Sequence, residues 1–177
     1  MAKKPTIKIS DVVKISMGGY DWPEYIPYPG NVLFKLKQKH TYRLFVTVRY
    51  PKEENQIFLV WIDIPEGFVS DKRSAPRILW AARPRDGRSE VASLIHDALY
   101  RTAGNTKNPN IGVECTTNVP DYETKITFSR KACDQIYKYV YEQTATEMAD
   151  EAKRDYFWLR VFGWMHFGSN KPPAVRR

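Results

Sequence analysis

His96, Asp97 and Tyr100 fall within little more than one helical turn, and these residue types at that spacing can activate a water molecule. Histidine titrates near neutral pH and acts as a general base once a partner fixes its tautomer. A carboxylate beside it can hold a hard cation such as calcium. A tyrosine hydroxyl can brace either group. The plain alternative is a hydrogen-bonded histidine at the edge of a core, with Asp97 solvated beside it.

Those residues need a helix to present them. Val91, Leu94, Ile95, Ala98 and Leu99 recur at helical spacing, with Asp86-Gly87 as a start signal and Gly104 as a stop. His96 and Tyr100, four apart, share one flank of that stripe, and Asp97 lies about 100° further round. A second helix begins after Ser129 as its cap, turns Cys133, Ile136, Tyr137 and Val140 inward and carries Asp134 beside that stripe. A third runs from about Thr146 to Trp164, and Trp80, Trp158 and Trp164 are expected in the core.

Upstream, Val32 to Leu36, Tyr42 to Tyr50 and Gln56 to Ile64 are rich in β-branched and aromatic residues and predict an antiparallel meander. Between meander and first helix, Asp71 or Ser74 could cap a short helix with Pro76 in its first turn; Asp71, Ser74 and Arg77 are expected to brace the loop beside the site. Residues 105–128 predict a loop or a small hairpin about Asn118 to Asp121. The expected class is α+β: an N-terminal antiparallel meander, then about three helices. Residues 1–30 form an extended N-terminal arm packing on its own domain or a neighbour, 31–167 a single domain and 168–177 a basic tail.

The chain has 177 residues, 42% apolar and 14% aromatic, enough for one domain with a real core. No apolar run approaches the ~20 residues that cross a bilayer, and no signal peptide is expected after Lys3 and Lys4. Cys115 and Cys133 are too few for a disulfide framework, which fits a virion or the host cytoplasm. Net charge is +8, favouring acidic partners such as anionic lipid. Lys72, Arg73, Arg77, Arg83, Arg85 and Arg88 cluster just before the His96 helix as a rim to the site, not as a nucleic-acid stripe.

Five motifs in order resemble the phage and prophage domain-of-unknown-function family 1353. They are Ile64-Pro65-Glu66-Gly67-Phe68; Asp71, Ser74, Pro76, Arg77 and Trp80; His96, Asp97, Leu99, Tyr100, Arg101, Thr102 and Gly104; Ala132, Asp134 and Tyr137; and Val161-Phe162-Gly163-Trp164. The resemblance implies a tailed-phage or prophage protein working among other virion proteins. Locally, His96-Asp97 with Tyr100, followed by Asp134 on the next long helix, is similar to the phospholipase A2 pattern. That similarity implies His96 as general base on water, Asp134 orienting its ring, Tyr100 supporting that contact and Asp97 holding calcium. Its glycine-rich calcium loop has no counterpart here, since Gly67 and Gly87 are the only glycines between the first strand and the helix.

Two functions follow. One is a phage hydrolase acting on lipid or cell-envelope material. The other is a non-enzymatic component of the tail or head-to-tail region, in which the same polar residues lock helices together.

Overall fold

Buried and exposed side chains alternate through His40–Arg49, and a second strand, Asn55–Ile64, pairs with it antiparallel from His40↔Ile64 to Arg49↔Asn55. One face of this ribbon therefore meets a core, as period-two patterning requires. The computed structural model describes residues 6–27, 34–49, 55–70, 89–104, 107–108, 113–117, 125–165 and 167–168. In chain order its strands are β1 (Thr6–Ile9), β2 (Val12–Met17), β3 (Tyr25–Pro27), β4 (Phe34–Leu36), β5 (His40–Arg49), β6 (Asn55–Ile64), β7 (Val69–Ser70), β8 (Lys107–Asn108), β9 (Val113–Thr117) and β10 (Lys125–Phe128). The helices are α1 (Glu90–Arg101), α2 (Arg130–Thr144) and α3 (Ala149–Phe162). The class is α+β, as the sequence implies.

The main sheet has the order β2-β5-β6-β9-β8. Tyr42, Leu44, Val46 and Val48 of β5 and Phe58, Val60, Ile62 and Ile64 of β6 join one buried cluster with Leu94, Ile95 and Leu99 of α1 and Ile136 and Val140 of α2. The described N-terminal residues 6–27 supply one strand to each of the three sheets. β2 adds to β5, β1 runs parallel to β10, and β3 pairs with β4, which pairs with β7.

Residues 118–121, where a loop or a small hairpin is expected, lie outside the described residues, and the strands on either side of them pair elsewhere. β9 pairs with β8 and with β6, whereas β10 pairs with β1. The β6 edge carries backbone donors and acceptors that need partners, and β9 supplies them. The short helix expected after Asp71, with Trp80 in it, lies outside the described residues.

Ser129 caps α2 as expected, accepting a 3.2 Å hydrogen bond from Ala132 N. α3 is bracketed by 3-10 turns at Thr146–Met148 and Gly163–Met165. Its fully buried stripe is narrow, made of Ala152, Asp155 and Leu159. Trp158 is half-buried and Trp164 is 66% exposed, so the core position expected for Trp164 is not found. That side chain lies beyond the helix, past the stripe that faces the core.

α1 ends on Gly104, whose φ of 67° is left-handed and whose N–H returns 2.8 Å to Leu99 O. The Gly104 carbonyl accepts from Phe128 N at 2.7 Å, so the end of α1 is tied to the strand that leads into α2.

Candidate functional site

His96 and Asp134 come together across 38 residues of sequence, with His96 Nε2 3.2 Å from Asp134 Oδ1. Helix packing brings them there: the apolar stripes of α1 and α2 share the core, and each polar side chain sits where the two helices meet. The Tyr100 hydroxyl, one turn beyond His96, donates to the same Oδ1. Oδ2 is taken from the other side by Arg160 of α3 at 2.7 Å, and Arg130, one turn before Asp134, lies 3.9 Å away. One carboxylate on α2 thus accepts hydrogen bonds from both α1 and α3.

The surroundings are dry and aromatic. His96 is 2% exposed and Asp134 fully buried. The imidazole lies against the Tyr100 ring at 3.9 Å between centroids and meets Tyr137 edge-on at 5.4 Å. The Tyr137 hydroxyl donates to buried Asp155 of α3 at 3.2 Å. Phe167 stands edge-on to Tyr100 at 5.2 Å.

Burial pushes the Asp134 carboxyl upward, but hydrogen bonds from His96, Tyr100 and Arg160, with the imidazole's field, outweigh it and hold Asp134 below the usual carboxylate range. Burial, and then the neighbouring Asp134 charge, raise the Tyr100 hydroxyl well above its ordinary value. Asp134 is therefore ionised at neutral pH and can only accept. The proton in its contact with the imidazole belongs to Nε2. Nδ1 has no hydrogen-bond partner among the described residues and is the nitrogen left to accept a proton. Removing the phenol by Tyr100→Phe is expected to cost about 1.5–3 kcal/mol, the worth of a hydrogen bond to a charged group. Urea unfolding of the two proteins measures it.

Asp97 points elsewhere. Ser70, at the end of β7, donates to Asp97 Oδ2 at 2.7 Å. The turn at Pro65-Glu66-Gly67 makes this contact possible: Gly67, at φ 80°, donates 2.9 Å to Leu36 O, and Leu36 N donates 2.8 Å to Phe68 O. Arg101, one turn beyond Asp97, donates to Val69 O and lies 4.3 Å over the Phe68 ring. A guanidinium thus already occupies the carbonyl beside Asp97. Calcium takes six to eight oxygens; among the described residues no group of three or more His, Cys, Asp or Glu side chains could hold a metal ion. The described set does not fit calcium.

Asp71, Ser74 and Arg77 lie outside the described residues, as does the whole basic cluster from Lys72 to Arg88. Sequence reasoning missed Arg160 and Arg130. Arg130 was open to discovery, since it precedes Asp134 by four positions on a helix. Arg160 had only an indirect signal: a buried carboxylate demands a cation.

The final turn presses on this cluster. A Cβ built on Gly163 would come within 2.4 Å of the Tyr100 hydroxyl oxygen, so only glycine leaves that hydroxyl its place. Gly168 N donates 2.8 Å to Tyr100 O.

A family model described as "Protein of unknown function (DUF1353)" matches residues 42–161. No curated protein and no solved structure matches the chain.

Proposed function

The chain belongs to the family of proteins of unknown function DUF1353, and from that premise we propose that it is a hydrolase in which His96 activates water. The observation that carries this reading is the single Asp134 oxygen shared by His96 Nε2 and the Tyr100 hydroxyl, which leaves Nδ1 unpartnered among the described residues. Asp134 fixes the tautomer and steadies the imidazolium as it forms. Tyr100 and Arg160 hold the carboxylate still and charged. The ring then takes a proton from water as its oxygen attacks a carbonyl carbon, and returns that proton to the leaving alcohol. The substrate class is an acyl ester of lipid or cell-envelope material, following the local likeness to phospholipase A2. No step is routed through calcium. The family resemblance adds a setting: a phage or prophage protein acting with other virion proteins at entry or lysis.

A second reading has its own observation. With His96 only 2% exposed, the cluster also suits a buried network that locks α1, α2 and α3 in a tail or head-to-tail component. Turnover separates the two. Wild-type protein should release fatty acid from phospholipid vesicles, and His96→Gln should lose about 100- to 10,000-fold in rate, the usual worth of a general base, while still melting cooperatively. Parallel assays in calcium and in chelator test the metal independently. A wild-type protein inert to esters, with His96→Gln impaired in particle assembly, would replace the hydrolase by the network.

A further inference from the structure

His96 cannot meet a substrate while the fold stays closed. It is 2% exposed, and the Tyr100 beside it 6%. Something over the cluster has to move, and the groups packed there differ in what holds them.

Most are tied to charge. The Tyr100 hydroxyl donates to Asp134, Arg160 of α3 reaches the same carboxylate at 2.7 Å, and Tyr137 donates to Asp155 at 3.2 Å. The end of α3 is also held by Arg130, whose Nη1 donates to the carbonyls of Leu159 and Arg160 at 3.1 and 3.2 Å. Moving α3 or either tyrosine would dismantle the contacts that orient His96.

Phe167 and Gly168 form the outer layer and are held by less. Phe167 is half-buried against the core, with its ring edge-on to Tyr100 at 5.2 Å. Gly168 is exposed, with a left-handed φ of 81°, and its N–H donates 2.8 Å to Tyr100 O. Among the described residues no ion pair or side-chain hydrogen bond holds either one. Segments held by so few buried contacts open first. Lifting these two leaves every Asp134 bond intact and bares the Tyr100 ring, which lies 3.9 Å from the imidazole between centroids.

We propose that Phe167 and Gly168 are a strap that swings off Tyr100 to admit an acyl substrate to the His96 cluster and then closes over it. This rests on the proposed hydrolase for what enters, but not for the motion. Closed, the strap keeps bulk water from the ring, which is what lids over active sites do.

The strap can be locked. A Cβ on Gly168 would lie 3.5 Å from the Ala103 Cβ, at the short end of the roughly 3.5–4.5 Å that a disulfide spans. In the double variant Ala103→Cys with Gly168→Cys, the oxidised and reduced forms share one sequence and its backbone strain. Any difference between them reports the lock. Diethyl pyrocarbonate with peptide mass mapping reads how often His96 is reached. Oxidation should slow labelling of His96 at least about tenfold, and Phe167→Ala should quicken it at least about tenfold over wild type, with His40 unchanged in both. Fatty-acid release should fall on oxidation and return on reduction. Should the double variant not fold, Phe167→Ala decides alone. Equal labelling of the oxidised and reduced forms overturns the strap, as does wild-type labelling in Phe167→Ala or a parallel change at His40. Turnover that oxidation leaves unchanged also overturns it and spares the hydrolase. Labelling that follows the strap in a protein inert to every ester supports the motion and sinks the hydrolase alone.

Discussion

Asp134→Ala is expected to cost about 3–5 kcal/mol, the range seen when one partner of a buried ion pair is removed. The reason is the number of groups it orphans. Arg160 would lose its 2.7 Å partner, and His96 Nε2 and the Tyr100 hydroxyl would lose the oxygen they share. The His96 and Tyr100 groups would stay in a dry core without that acceptor, while Arg160, 32% exposed, would turn to water. At roughly 2–4 °C per kcal/mol for a chain of this size, the melting temperature should drop by about 6–20 °C. pH adds a signature. Asp134 is held below the ordinary carboxylate value in the folded state. Its contribution is therefore fully present above about pH 4 and is lost as pH falls through the lower folded value. Asp11 and Asp63 are also held low, Asp11 chiefly by hydrogen bonds from Gln135 and Lys131, and Asp63 against its burial by Thr41 and Lys39. The wild type will lose stability in acid for those reasons too. The difference between wild type and Asp134→Asn removes what Asp11 and Asp63 contribute to both proteins, and it should shrink as pH falls below about 4. A difference that keeps growing below about pH 4 would contradict the assigned charge state.

Gly104→Ala should be nearly as damaging, by about 2–5 kcal/mol, combining a left-handed backbone with an overpacked contact. A Cβ there would sit 1.8 Å from the Phe128 carbonyl oxygen, a backbone atom that cannot turn aside. To make room, the end of α1 must move away from β10, breaking the 2.7 Å bond between Phe128 N and Gly104 O. β10 leads directly into α2, so the shift changes the register between His96 and Asp134. Gly19 is the control, because a Cβ there meets nothing within 4 Å. Chemical denaturation of Gly104→Ala and Gly19→Ala should place the first far below wild type and the second within about 0.5 kcal/mol of it.

Much of this arrangement is legible in the sequence where one physical rule acts alone. The β5–β6 ribbon follows from period-two burial, and α1 from a stripe with few competing signals. Asp134 is legible because Ser129 sets where α2 begins, and hence which side chains face inward. Other features depend on tertiary context. The N-terminal strands have prolines and glycines between them, and β2 forms because the β5 edge is there to receive it. β9 chooses β6 over β10 for the same kind of reason, which no local pattern encodes. Arg160 reaches Asp134 from a helix whose direction local spacing does not give. Trp164 looks like a core residue by type and is exposed by its position past the end of α3.

The central claim is that Asp134 holds the His96 proton on Nε2 and leaves Nδ1 bare. Nitrogen-15 spectra of the histidine rings, recorded above the pH at which they titrate, read this directly. The account requires His96 to be protonated at Nε2 and unprotonated at Nδ1, with Asp134→Asn disturbing that preference. A proton on Nδ1 in the wild type would contradict it, because the nitrogen meant to take a proton from water would already carry one.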